Sequence, residues 1–271
     1  MLRNKQLSLS QSRTKRPKVG IVGLTSCEGC QFSLLDLGNR FFSLLKYVEI
    51  VEFRLMEERV FTTPKMDICF VEGSAVTKAN EKKIKEIRKR SKILVVLGNC
   101  AALGGIHQIK NHHDKDKLAQ ETYFHSQAMD NPEIKRMSEL VKVDYTIPGC
   151  PVNSLEFLRL LYSLLKGADF YIPPKPVCFE CQARGYKCVL MEGQPCLGPV
   201  ILGGCEAVCL KSAMPCQGCR GYFAGAQADN HFKHLRALGH SADEINHLLE
   251  IYGLRDSTLI LKKDPSRNGS G

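Results

Sequence analysis

Thirteen of the 271 residues are cysteines, and eight of them fall in the forty-two residues from Cys178 to Cys219. These eight are Cys178, Cys181, Cys188, Cys196, Cys205, Cys209, Cys216 and Cys219. Four thiolates hold one 4Fe-4S cube, so eight suffice for two cubes, and Cys27, Cys30, Cys100 and Cys150 suffice for a third. Zinc is the main competitor, because Cys178/Cys181 and Cys216/Cys219 read as two halves of a four-cysteine ribbon. That pairing strands the four cysteines between them. Two zinc ions would use all eight but would not explain the earlier four. A thiol redox pair at Cys27 and Cys30 likewise leaves Cys100 and Cys150 without a role. The remaining Cys69, inside DICFV, is expected as a small core residue.

The elements that must position these thiols alternate. Short β-branched apolar runs, Val19 to Leu24, Val48 to Leu55, Ile68 to Glu72, Ile93 to Leu97 and Val143 to Ile147, are separated by helical patterns. Helices are expected over Gln31 to Leu45, Thr77 to Lys89 and Ser154 to Leu165. This order predicts an α/β, flavodoxin-like, doubly wound parallel sheet, which binds ligands beyond the carboxyl ends of its strands. Cys27 and Cys30 follow the first strand, Cys100 the fourth and Cys150 the fifth, so four distant ligands converge on one sheet edge. Pro173, Pro174 and Pro176 mark a boundary. The segment beyond it is rich in Gly and Pro and should be organised by metal rather than by a hydrophobic core. The expected organisation is a disordered basic tail over 1–17, a sheet domain over 18–172, a cysteine-rich segment over 173–228, and a helical stretch with a tail over 229–271, where Ser241 and Glu244 form a capping-box pattern.

The formal net charge of +10 is scattered along the chain and no Trp is present, so a nucleic-acid platform is not expected. No window approaches the roughly 18 apolar residues that cross a bilayer, and the N-terminus lacks the apolar core of a secretion signal. A cytoplasmic setting is expected, where disulfides are disfavoured and metal explains the thiols. Glu28, within CEGC, and Glu72, in FVEGS, lie where the first cluster should be and are candidates to surround it. His107, His112 and His113 read as surface histidines in a polar loop, and Gly98, Gly104 and Gly105 as turns around a cluster rather than a phosphate loop.

The blocks VGLTSCEGCQFSLLDL, FVEGSAV, LGNCAALGGI and TIPGCPVN, with PVCFEC, PCLGPVILGGCEAVC and CQGC, resemble the small subunits of cytosolic nickel-iron hydrogenases of the sulfhydrogenase, methyl-viologen-reducing and deazaflavin-reducing kinds. The related quinone-reductase subunit of complex I has adjacent cysteines where Cys27 and Cys30 are spaced here. The resemblance implies a proximal 4Fe-4S cluster on Cys27, Cys30, Cys100 and Cys150, beside the nickel-iron site of a separate large subunit. It also implies a ferredoxin-like segment in which the eight later cysteines hold medial and distal clusters. Cys178, Cys181 and Cys188 are expected to share one cube, with the cysteine that completes it left open. No catalytic residue is expected in this chain. Three clusters would relay electrons to a flavin- or ferredoxin-type acceptor subunit. Periplasmic relatives carry a twin-arginine signal and this sequence shows none, in keeping with a cytosolic member. Leu210 departs from the proline that often follows such a cysteine. The apolar residues Phe41, Phe42, Leu44, Leu45, Leu158, Leu160 and Leu161 exceed what one sheet was expected to bury and point to a large interface. A metal-stabilised zinc scaffold, and a non-hydrogenase electron carrier or redox sensor, stand as alternatives.

Overall fold

Five parallel strands, in the order β2-β1-β3-β4-β5, form the sheet of the computed structural model, which describes residues 16–56 and 64–256. The basic N-terminal tail, apart from its last two residues, and the C-terminal RNGSG lie outside the described residues. The strands are β1 (Lys18–Gly23), β2 (Glu49–Phe53), β3 (Met66–Glu72), β4 (Ser91–Leu97) and β5 (Tyr145–Ile147). The central β1, β3 and β4 are buried along almost their whole length, which is why they read as near-continuous apolar runs.

Helices cover both faces. One face carries α1 (Gly29–Leu35), α2 (Asn39–Leu44) and, after the sheet's last strand, α7 (Ser154–Lys166). Their Leu34, Phe41, Leu44, Phe157, Leu160 and Leu161 pack with Val19, Ile21, Phe70 and Val95 from the sheet. The other face carries α3 (Lys78–Arg90), which Thr77 caps by accepting from the Asn80 amide at 3.2 Å and which ends in Arg88, Lys89 and Arg90 beside its negative dipole end. Further along come α4 (Gly98–Leu103), a 3-10 helix over Gly105–His112, α5 (Lys115–Thr122) and α6 (Met137–Leu140).

Two expectations change here. The single helix over Gln31 to Leu45 is two helices, because Gly38 takes φ 54° and ψ −125°, a backbone state essentially confined to glycine, and the chain restarts as α2. Phe41, Leu44, Leu158, Leu160 and Leu161 are core residues rather than interface, since α2 and α7 turn them onto the sheet, and of this set Phe42 is the large side chain left exposed.

After the proline boundary come α8 (Val177–Ala183), a 3-10 turn over Val189–Glu192, α9 (Val208–Lys211), α10 (Ala228–Ala237) and α11 (Ala242–Glu250). The cysteine-rich segment is not held by metal alone. Val177, Val189, Leu197, Val200, Ile201 and Leu210 share one hydrophobic cluster with Phe232, Leu235, Ile245, Leu248 and Leu249 of the last two helices. Leu210 belongs to this core, which accounts for a side chain where proline was expected.

The aromatic pair Phe70–Phe157, with ring centroids 4.8 Å apart, ties α7 to the middle of the sheet. Phe157→Ala should cost about 3–5 kcal/mol by opening a cavity there, read as a lower urea midpoint of the anaerobic protein at unchanged denaturant slope.

Candidate metal centres

The carboxyl edge of the sheet gathers the first four thiols. Cys27 and Cys30 come from the turn after β1 and the start of α1, Cys100 from α4, and Cys150 from the turn after β5. Burial is the main influence on the Cys30 thiol and raises it; the charges of Glu72 and Cys100 push the same way. Burial, with Cys150 and Cys27 as the nearest charges, lifts Cys100 to about 11. Burial also raises Cys150, which feels Cys27 in turn. The backbone comes close to the sulfurs throughout. A Cβ on Gly98 would sit 2.5 Å from the Cys30 sulfur, and one on Gly105 would sit 2.8 Å from both Cα and Sγ of Cys100. Both glycines have positive φ, 81° and 62°, so a side chain is excluded by conformation and by space alike.

Glu72, at the end of β3, lies beneath this group, accepting from Gln31 Nε2 at 2.5 Å and from Ser26 Oγ at 3.0 Å while hydrogen-bonded to Cys30. It is buried. Glu28, by contrast, is exposed at the start of α1 with a left-handed backbone, so only one of the two candidate carboxylates reaches the thiols. The histidines are also placed differently from the expectation of a surface loop. They lie in or next to the 3-10 helix over Gly105–His112, where His107 meets Ser74 Oγ at 3.2 Å and His112 is half-buried; His113 alone is exposed. The Ser74 hydroxyl is within 2.9 Å of the Cys100 and Gly104 carbonyl oxygens, which fixes the Cys100 turn.

The eight later thiols divide into two sets. Cys178 is raised to about 12 by burial, and the charges it feels are those of Cys196, Cys181 and Cys188. Cys196 is raised mainly by burial and faces Cys188 and Cys181. A Cβ on Gly198 would sit 3.3 Å from the Cys178 sulfur and 3.4 Å from that of Cys196, so the chain passes directly over this set. The other set is Cys205, Cys209, Cys216 and Cys219. Burial drives Cys219 to about 12, with Cys205, Cys150 and Cys209 as its charged neighbours. Cys150, Cys205, Cys209, Cys216 and Cys219 line one cavity of about 500 Å³. Cys196 is thus the thiol that stands with Cys178, Cys181 and Cys188.

Backbone amides join the sets. The Cys150 N–H donates to the Cys219 sulfur, and the Cys216 N–H donates to the Cys196 sulfur at 3.2 Å. Spatial order therefore differs from chain order: the Cys205–Cys219 set lies between the first four thiols and the Cys178–Cys196 set.

Three residues at these joints were not singled out by their sequence. Arg220, 3% exposed, donates to the carbonyl oxygens of Pro148 (2.7 Å), Leu202 (3.2 Å) and Gly203 (2.9 Å) and to Glu156 Oε1 (2.9 Å). It clamps the turn before Cys150 to the turn before Cys205. Asn99 Nδ2 donates to the Cys219 carbonyl at 2.9 Å and the Tyr252 carbonyl at 3.0 Å. Tyr252 lines the same cavity as Cys150 and acts on its thiol against the effect of burial. Asn99 and Arg220 each adjoin a cysteine, a signal that could have drawn attention to them; Tyr252 had none.

The donor set fits iron-sulfur cubes, since a cube several ångströms across takes four thiolates that do not touch one another. Amides from Val152, Gly198, Ala207 and Gly218 point at the sulfurs of Cys30, Cys196, Cys205 and Cys216, the kind of donor that stabilises a bound thiolate.

Residues 27–164 match the family described as NADH ubiquinone oxidoreductase, 20 Kd subunit, and the chain belongs to it. It is 34% identical over 210 residues to the sulfhydrogenase 2 subunit delta of Pyrococcus furiosus, covering 75% of this chain and 86% of that one. It is 32% identical over 234 residues to a subunit of the vhu F420-non-reducing hydrogenase of Methanocaldococcus jannaschii, covering 75% and 81%. Among solved structures, a chain of an NAD+-reducing [NiFe]-hydrogenase in the H2-reduced state superposes with a TM-score of 0.53 at 25% identity, over 59% of this chain and 96% of its own. A chain of the actinobacterial-type NiFe-hydrogenase from Ralstonia eutropha H16 shares the fold over 95% of this chain and 94% of its own, with a TM-score of 0.51 at 15% identity. Within its family the chain is a small subunit of the nickel-iron hydrogenase type.

Gly98→Ala should drive the chain off the Cys30 sulfur and lower bound iron by about four atoms per chain, one cube's worth, by anaerobic metal analysis. Arg220→Met should cost about 3–5 kcal/mol, because it leaves the Glu156 carboxylate buried without its partner; thermal unfolding should show Glu156→Gln to be the milder change.

Proposed function

We propose that this chain is the electron-relay subunit of a nickel-iron hydrogenase, holding three 4Fe-4S cubes. The first is on Cys27, Cys30, Cys100 and Cys150, the second on Cys205, Cys209, Cys216 and Cys219, and the third on Cys178, Cys181, Cys188 and Cys196. The observation that carries the reading is the division of twelve thiols into three sets of four, with an amide-to-sulfur hydrogen bond at each joint. Such cubes, when bound, take up and release single electrons at potentials set by hydrogen bonding and solvent access.

Exposed residues at the two outer sets support an entry and an exit for electrons. At the first set, Cys27 and Cys150 are exposed, and Phe32 and Leu155 beside them are 53% and 41% exposed. A large subunit carrying the nickel-iron site would cover this edge, and dihydrogen cleavage would be its work, since the thiols of this chain are committed to the cubes. At the third set Cys188 is exposed, with Phe179 and Met191 at 53% and 87%, a surface suited to a flavin- or ferredoxin-type acceptor subunit. Among the described residues no helix is long and apolar enough to cross a membrane, and a cytoplasmic complex is the setting proposed. The compact fold of the eight-cysteine segment is proposed as ferredoxin-like.

The complex purified without oxygen should be brown and carry about twelve iron and twelve sulfide per copy of this chain. Colourless protein with zinc would refute the reading, and brown protein without nickel would leave an electron carrier outside any hydrogenase. Cys27→Ser should abolish hydrogen-dependent dye reduction while the large subunit keeps its nickel.

A further inference from the structure

The second and third thiol sets meet along a short strip of backbone, Cys196, Leu197 and Gly198, and the contacts there run in both directions. The Cys216 N–H donates to the Cys196 sulfur at 3.2 Å, and the Leu197 N–H donates back to the Cys216 carbonyl at 2.8 Å. A residue of the second set is thus hydrogen-bonded directly to a sulfur of the third. From that sulfur, the hydrogen bond and then the N–Cα, Cα–Cβ and Cβ–Sγ bonds of Cys216 lead to a sulfur of the other set. Gly198 leaves room for the crossing, since an added Cβ would stand 3.3 Å from the Cys178 sulfur, 3.4 Å from the Cys196 sulfur and 3.8 Å from the Cys216 Cβ.

The side chain that holds this strip comes from outside the run of cysteines. His231 lies on α10, 7% exposed, and its Nε2 stands 2.8 Å from the Cys196 carbonyl oxygen. A carbonyl oxygen only accepts, so Nε2 carries the proton and His231 is the donor. The peptide that receives this bond is the one whose N–H, on Leu197, donates to Cys216. His231 therefore heads a chain of hydrogen bonds that runs through the Cys196 peptide to Cys216, and bonds linked in this way polarise and strengthen one another. Phe232 and Leu235 of α10 pack in the same hydrophobic cluster as Leu197, so the donor and the strip are seated in one core.

We propose that His231 is a positioning residue for electron transfer between the second and third cubes, holding the Cys196 peptide where the Cys216 amide meets the Cys196 sulfur. The inference rests on the cluster assignment proposed above. An amide donating to a ligand sulfur stabilises the more negative, reduced state, so a well-held bond raises the potential of the third cube relative to the second. One electron crosses the joint in each step, oxidising one cube and reducing the other, and His231 keeps its proton throughout. It thereby sets how electrons divide across the joint without touching dihydrogen or the acceptor.

The test compares two variants in the intact anaerobic complex: His231→Leu, which removes the donor, and His231→Gln, whose side-chain amide supplies a donor of similar reach. The third cube's paramagnetic signal is identified as the one lost in Cys188→Ala and is followed by redox titration. In His231→Leu, iron and sulfide content should stay at the wild-type level. The third cube's potential should fall, shifting the electron-sharing equilibrium between the two cubes by about fivefold, the net worth of one hydrogen bond. His231→Gln should recover most of that shift, and the first cube should keep its potential in both variants. An unchanged potential in His231→Leu, or an equal fall in both variants, would overturn the proposal. So would the loss of about four iron atoms per chain from His231→Leu, which would make the histidine a support for the cube itself. If wild-type material carried no clusters at all, the assignment of the thiols would fail first, so the two failures are distinguishable.

Discussion

Like charges forced together in a low-dielectric place are the constraint on which this structure depends. Burial is the leading cause that raises Cys30, Cys100, Cys178, Cys196, Cys205, Cys216 and Cys219 above an ordinary thiol, and neighbouring sulfurs push each of them the same way. Left to itself such a set stays protonated. A positively charged metal core relieves both penalties together, and for that reason metal loading and folding are coupled in sites of this kind. The backbone contributes what it can in the same direction: amides from residues after the ligands face their sulfurs, and the chain narrows to glycine where it must run against them.

The same constraint explains the architecture. A parallel sheet delivers loops from β1, β4 and β5 to one edge, so thiols more than a hundred residues apart meet with no dedicated scaffold. The eight later thiols have no sheet of their own. They borrow rigidity from the hydrophobic cluster built with α10 and α11, and from Arg220, whose guanidinium satisfies three carbonyls and one carboxylate at the contact with the sheet domain. A buried arginine so fully occupied fixes distance and orientation, and the proposed relay depends on both. Leu254 is built into that cluster, so the end of the described chain belongs to the second unit's core.

Much of this was legible in the sequence, for identifiable reasons. Strands covered on both faces leave a continuous apolar signature, as SKILVVL and MDICFVE do, and cysteines placed just after such runs point to one edge. The break at Gly38 was readable too, as a glycine following a helical run, but the strong apolar spacing on either side of it hid the stop. The division of the eight thiols was not legible, because it depends on where Cys196 and Cys216 cross in space rather than on their order. Nor were the joints. Asn99, Arg220 and Tyr252 act through side-chain reach between residues distant in the chain, Asn99 alone spanning 120 and 153 positions, and no local pattern encodes such a meeting. The eight-cysteine segment was misread as lacking a core because half of that core lies in helices further along.

Residues 250–256, held to the sheet domain where Asn99 donates to the Tyr252 carbonyl and Gln108 to Asp256, bear on the order of assembly. A ribosome releases all thirteen cysteines before it releases Tyr252 and Gly253, so every sulfur emerges while the seam between the two units still stands open. Iron delivered during synthesis would meet an open seam, and the last described turn would close over it afterwards, as a clasp fastens once its contents are in place.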